Sequence, residues 1–384
     1  MLYLTWMGMA AKIQQRNEVV NRQCVDLNSK LSADGFRSCV LKGQGVAALY
    51  RLHDDDNHNH DLSGLRQSGD IDVLMWKDGL SEEENRKAVI AYAQSIDKDA
   101  KASEHHIAVG LFPDTEVEMH YAPAYFCNPL ANKRFKKWCE ENKVRVKRVK
   151  VGDGEFDVPS VEFNLVFLLA HTFRHYMSEG VGLRQLMDYY FVLLSASQED
   201  KKAYGEILRQ AQEPDCGKMI LTKTEKTAAA SAESQNEPLA NDCSSEIENT
   251  FSSSANQSFA TLSGSADTSA KNRKNLLDTL DSLNMLKFAG AVMWVIKTVF
   301  VGHDNDDLFL GIKPNERLGR KLLAHVMQGG NFGHHNTETV ASKESHVGRF
   351  VNQVAQDLKL AIDYPAEALW APISMIREFI RIRI

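Results

Sequence analysis

The sequence predicts an α+β fold, on three observations. Short stretches with period-2 alternation occupy the first 158 residues, spaced by helical segments. From Pro159 onward the apolar spacing is helical almost to the end. At 384 residues and 43% apolar composition, the chain is long enough to bury a sizeable core with a helical extension.

Taken in order, Trp6 to Leu31 reads as an amphipathic helix and Ser38 to Leu41 as a strand. That strand leads through Lys42-Gly43-Gln44-Gly45 into a helix over Val46 to Tyr50. Arg51 to Ser68, rich in Asp, His and Asn, reads as an exposed loop, and its acidic run from Asp54 as a solvated tip. Gly69 to Met75 is a predicted strand. Ser81 opens a helix with Glu84 three residues on, the spacing of a capping box. His105 to Phe112 and Thr115 to Tyr121 alternate as a hairpin about Pro113-Asp114. Helices are then expected over Ser160 to Met177, Leu183 to Leu194, Ala203 to Ala211, Leu276 to Val299, Arg317 to Met327, Val347 to Ile362 and Ala366 to Arg381. Between them, Lys223 to Arg273 is dominated by Ser, Ala, Thr, Asn, Gln and Glu. Too little apolar surface is available there to offset the entropy of ordering, so a disordered insertion is expected. The resulting division is an N-terminal helix (1–35), a catalytic core (36–158), a helical region (159–222), the insertion (223–273) and a C-terminal helical region (274–384).

A net charge of −6 and a pI near 6.1 argue against general affinity for nucleic acid, since no basic stripe dominates. Six cysteines without a C-x-x-C pair form neither a zinc framework nor a dense disulfide scaffold. No basic leader precedes the apolar N-terminus, and Phe288 to Ile296 is far shorter than the roughly 20 residues of a membrane span. A soluble, cytoplasmic protein without a membrane partner is expected.

Asp70 and Asp72 carry the chemistry. Residues i and i+2 of a strand share a face, so the two carboxylates converge while Ile71 and Val73 enter the core. Like charges held together repel unless a cation lies between them, and magnesium is the hard ion that such oxygen ligands select, as one ion or two. Gly69 removes a side chain just before the pair and lets a ligand approach the backbone. A third carboxylate is expected on a neighbouring strand. Glu116, Glu118 and His120 share a face there, with Glu118 preferred as metal ligand or general base and Glu116 in reserve. A D-x-D pair by itself also fits a solvated strand edge.

Lys42-Gly43-Gln44-Gly45 before a helix offers free N–H groups and a lysine to a phosphate, although the same residues serve an ordinary strand-to-helix turn. Neither P-loop spacing nor G-x-G-x-x-G is present. His171 and His175 are one helical turn apart, but the glutamate of H-E-x-x-H and a third ligand are missing. Hydrogen bonding to a neighbour such as Asp188 is the expected role, with Arg174 or Arg184 as an alternative contact to a phosphate.

In sequence order, Leu41-Lys42-Gly43, Arg66-Gln67-Ser68-Gly69-Asp70-Ile71-Asp72 and Glu118-Met119-His120 resemble the polymerase-beta-like nucleotidyltransferase superfamily. The closer likeness is to its bacterial branch of uncharacterised nucleotidyltransferases. It continues through His171 to His175, Gly182 to Asp188, Gly329 to Gly333 and Tyr364 to Glu367. The resemblance implies a mixed-sheet core followed by a helical domain. It also implies an NTP substrate such as ATP, Gly43 against the phosphates, magnesium on Asp70 and Asp72, and Glu118 completing the triad. Gly-Gln stands at the phosphate loop where relatives outside that branch often have Gly-Ser.

The expected function is therefore Mg-dependent transfer of a nucleoside monophosphate from an NTP to an acceptor, with release of pyrophosphate. Asp70, Asp72 and Glu118 are the catalytic and metal residues; Lys42, Gly43, Gln44, Gly69 and Arg184 contact the nucleotide. A protein hydroxyl or small molecule is favoured over RNA as acceptor. The alternative is an inactive nucleotide-binding regulator or antitoxin-like partner, and a histidine-based phosphohydrolase ranks below both.

Overall fold

The computed structural model describes residues 2–53, 59–142, 146–178, 180–212, 270–301, 306–329, 354–355 and 357–383. Two compact units are present. Met1–Ala196 with Leu276–Ile384 forms the first and Ser197–Asn275 the second. The inner part of the second, 213–269, contains most of the expected disordered insertion and lies outside the described residues.

Helix α1 (Leu2–Ala33) buries Val20, Cys24, Leu27 and Leu31, a stripe spaced four, three and four residues apart. It covers one face of a four-stranded sheet in the order β1-β4-β6-β5, where β1 is Arg37–Val40, β4 Ile71–Trp76, β5 His106–Phe112 and β6 Thr115–His120. Strand β1 runs antiparallel to β4, β4 parallel to β6, and β5 antiparallel to β6, so the sheet is mixed. Alternation sorts its side chains. Ile71, Val73, Met75, Val117 and Met119 pack with α1 and with α3 (Glu82–Ile96), whereas Leu74 and Trp76 face the other core. That second core is built around α5 (Val161–Ser178), which is apolar on nearly every side.

Between β1 and β4, α2 (Lys42–Ala47) doubles back on the strand it follows. A Cβ on Gly45 would stand 2.1 Å from the Val40 carbonyl oxygen, so only glycine permits this turn. The capping box at Ser81 and Glu84 is present as expected. The 51–68 stretch differs from the expected loop. Its ends pair as a small hairpin, β2 (Arg51–His53) with β3 (Asn59–Asp61), while 54–58 fall outside the described residues.

Other differences are physical in origin. Helix α4 (Pro129–Asn142) and the β7–β8 hairpin (Val146–Val151, Gly154–Pro159) were hidden by basic residues on their outer faces. In α4 the inward stripe is only Ala131, Phe135 and Cys139. The two helices expected after Gly182 are one continuous element, α6 (Leu183–Gln212). Conversely, the expected helix from Leu276 to Val299 is broken. A helix over Ala270–Ser282 ends before Asn284, which adopts a φ of 58°, and α8 (Leu286–Ile296) starts anew (the first of these is α7). Helix α9 (Glu316–Gly329) agrees with expectation. The last expected helix is two, α10 (Pro365–Ala368) and α11 (Ala371–Arg383). Half of Val347 to Ile362 lies outside the described residues, as do Gly330 to Gly333; residues 354–355 and 357–361 are helical as expected.

No single helix among the described residues is long and apolar enough to cross a membrane; one bent pair, Ala270–Ser282 with Leu286–Val301, meets that measure jointly. The residues of α8 are almost all buried in the core of the first unit.

Candidate functional site

The α5-facing side of the sheet carries the acids. Register places Asp72 of β4 directly opposite Glu118 of β6, so their side chains leave the same face of adjacent parallel strands. Glu116 lies two residues earlier and is exposed, away from this pairing. Asp72 is 4% exposed. Asp70 precedes the strand rather than lying within it, and sits at the mouth of a cleft lined also by Lys42, Gly43, Gly69, Asp72 and Arg184.

Three groups converge on Asp72. The Lys42 ammonium is 2.6 Å from Oδ1, and His120 Nε2 is 3.0 Å from the same oxygen. His120, wholly buried, also reaches Glu118 Oε2 at 3.3 Å. Burial disfavours an ionised Asp72, but Lys42 and His120 together outweigh it and hold the carboxyl well below the usual range. Lys42 answers in kind: burial would lower it, and the charges of Asp72, Glu118 and Asp70 raise it. Asp70, by contrast, is pushed up by desolvation against the cleft walls and by the Asp72 charge. A dense negative site is thus already shared by one internal cation.

Backbone geometry brings Lys42 there. Lys42 and Gly43 have φ of 40° and 35°, a left-handed step that turns the chain from β1 back over the acids. Gly43 lines the cleft, with Arg66 Nη1 3.6 Å from where a Cβ would stand. Gln44 points elsewhere. Its amide nitrogen donates to Asn21 of α1, so its side chain serves the α1–α2 contact.

Arginines also line the cleft. Arg66 grips Asp188 through Nε to Oδ1 at 3.1 Å and Nη2 to Oδ2 at 2.7 Å, and Tyr50 donates its hydroxyl to the same carboxylate. Arg184 donates to the Gln67 carbonyl at 3.3 Å, and Arg66 to the same oxygen at 3.0 Å. Burial and the neighbouring Arg66 charge lower the Arg184 guanidinium from its ordinary value. Structural hydrogen bonding to a neighbour was the expected role of His171 and His175, and the neighbour His171 meets is His175, with 3.0 Å between their Nε2 atoms. His171 itself lines the cleft, and burial holds it well below the usual histidine range.

Two groups of described residues could hold a metal ion: Asp72, Glu118 and His120, and His105, His106 and His120. The first offers two carboxylates to a hard dication, and the cation already lodged on Asp72 is an ammonium. The donor set therefore fits a divalent cation, with Asp70 close enough to feel the Asp72 charge.

Sequence reading brought Asp72, Glu118 and Lys42 to one place, and missed the Arg66–Asp188–Tyr50 cluster and the imidazoles of His105 and His106. Arg66 stands just before the Asp pair, in the stretch Arg66-Gln67-Ser68-Gly69-Asp70, and that nearness was the signal for it. For His106 the hairpin count was misleading. Phe112 pairs with Thr115, and an unbroken ladder from there would set Ile107 opposite His120. A bulge between Val109 and Phe112 shifts the register, so His106 is the partner.

A family model described as "Uncharacterised nucleotidyltransferase" matches residues 2–225. No curated protein and no solved structure matches the chain.

Proposed function

Since the chain belongs to this family of uncharacterised nucleotidyltransferases, we propose that it moves a nucleoside monophosphate from an NTP to an acceptor hydroxyl, as a member of the polymerase-beta-like superfamily. One observation carries the reading: Asp72 stands in register with Glu118 on the neighbouring strand and lines a cleft together with Asp70, Lys42, Arg66 and Arg184. Acids and guanidinium groups lining one cleft suit a triphosphate bound with a divalent ion.

In this reaction the acceptor oxygen forms a bond to the α-phosphorus. The bond from that phosphorus to the bridging oxygen breaks, and pyrophosphate leaves with the electron pair. Glu118 receives the hydroxyl proton, directly or through water. Magnesium, when bound by Asp70, Asp72 and Glu118, supplies charge neutralisation at the transferring phosphate. Arg184 orients the β- and γ-phosphates, and Lys42 exchanges its partner from Asp72 to phosphate oxygen. His120 holds both acids in place from the buried side.

The test is incubation of the purified full chain with each α-labelled NTP, magnesium and cell lysate. Label on protein or metabolite with release of pyrophosphate, lost in Asp72→Asn and Glu118→Gln, is expected. A second reading has one observation in its favour: Lys42 already pairs with the carboxylate an ion would need. An inactive nucleotide-binding regulator would bind NTP tightly and label nothing with any of the four bases.

A further inference from the structure

The wall behind Glu118 is made of imidazoles. The bulge in β5 sets His106 opposite His120, and the Tyr121 and Ala122 amides bind the His105 carbonyl at 3.0 and 3.2 Å, drawing that residue over the same spot. The three rings lie 4.5, 5.1 and 5.2 Å apart between centroids. One ring nitrogen of each falls within 4.8 Å of the others. Their hydrogen bonding is incomplete for buried groups. His105 Nδ1 is buried without a hydrogen-bond partner, and His105 Nε2 faces His106 Nδ1 at 3.3 Å, where one proton must serve both rings.

We propose that His105, His106 and His120 form a nitrogen-rich metal site that takes a first-row dication of the zinc class. Imidazole donors prefer zinc, copper or nickel, while carboxylate oxygens prefer magnesium. The same wall therefore offers two chemically distinct stations side by side. Glu118 spans them, with Oε2 3.3 Å from His120 and Oε1 3.7 Å from His106, and so can orient the ligating rings. Three protein donors leave a fourth position for an exchangeable ligand such as water. This assignment needs no transfer chemistry and stands or falls separately from it.

The test uses the full chain, stripped with chelator and titrated calorimetrically with zinc alone while millimolar magnesium occupies the carboxylates. One zinc per chain is expected, with visible d–d bands when cobalt replaces it. His105→Gln and His106→Gln should each weaken binding by roughly tenfold or more, whereas Asp70→Asn should retain it. Wild-type protein that takes up no zinc under these conditions overturns the proposal without recourse to any variant. So does zinc affinity unchanged in both histidine variants, or lost with Asp70→Asn as fully as with His105→Gln. Labelling by NTP is read in none of these arms, so its success or failure bears only on the transferase reading.

Discussion

Replacing Lys42 with methionine removes the internal cation of the acid cluster and keeps most of its apolar stem. The ammonium lies 2.6 Å from Asp72 Oδ1, with the two side chains only 17% and 4% exposed. At an effective dielectric constant of about 20, that separation corresponds to roughly 6 kcal/mol of attraction before desolvation is subtracted. Removing one member of such a buried pair leaves the other charge uncompensated and costs about 3–5 kcal/mol. His120 remains on Asp72, which places the expectation at the lower end, about 3 kcal/mol. For a domain of this size that is a fall in Tm on the order of 4–6 °C. The loss should depend on conditions in a diagnostic way. In chelator the variant melts early; in millimolar magnesium the ion replaces the missing ammonium, and the difference from wild type narrows. Magnesium should also bind the free variant more tightly than wild type, because it no longer competes with Lys42. Thermal melts with and without metal, and calorimetric titration with magnesium, measure both effects. A variant as stable as wild type in chelator, or a deficit that magnesium leaves untouched, refutes the picture of Lys42 as resident counter-ion.

Two further outcomes follow from other contacts. Asp188→Asn should destabilise by about 3–5 kcal/mol, because it leaves the Arg66 guanidinium buried beside Tyr50 with its carboxylate gone; a urea midpoint within error of wild type would contradict this. Glu367 tests a pH dependence. Burial raises its carboxyl above the ordinary 4.5, against the opposing pull of the Cys127 and Asn128 amides. The native state then favours the protonated acid more than the unfolded chain does, so folding takes up a proton as pH falls through the native value. Wild type should gain stability relative to Glu367→Gln between pH 7 and 4.5 and hold that gain below; a difference that stays flat across the window would remove the basis for it.

The parts legible in the sequence were those set by local alternation. Asp72 and Glu118 sit among apolar neighbours with period 2, and both came out on the sheet face opposite Ile71 and Val117. Asp70 shares that alternation, yet the strand starts one residue later, which leaves it at the rim instead of within the ladder. What was illegible depends on separation or on irregularity. Arg66 and Asp188 are 122 residues apart and no local pattern joins them. The bulge in β5 is a single added residue that inverts which side chains face the site, and alternation cannot reveal it. Lys42 illustrates a third limit. A lysine before a glycine turn suits a phosphate equally well, and only the folded chain reveals that an aspartate stands 2.6 Å away.

Glu367 has a consequence for how the molecule is made. Its carboxylate accepts from the backbone of Cys127, 240 residues earlier, and from that of Asn128. Those amides stand at the entry to α4, so this corner of the sheet-bearing half gains its carboxylate only once Glu367 has emerged from the ribosome. Contacts of such long range slow the search for the native state. The span between them tolerates extra length, since each doubling of a flexible loop adds only about 0.6 kcal/mol to its closure. A nascent chain halted anywhere between Asn128 and Glu367 would hold an unfinished structure, and chaperones rather than substrate would be its first partners.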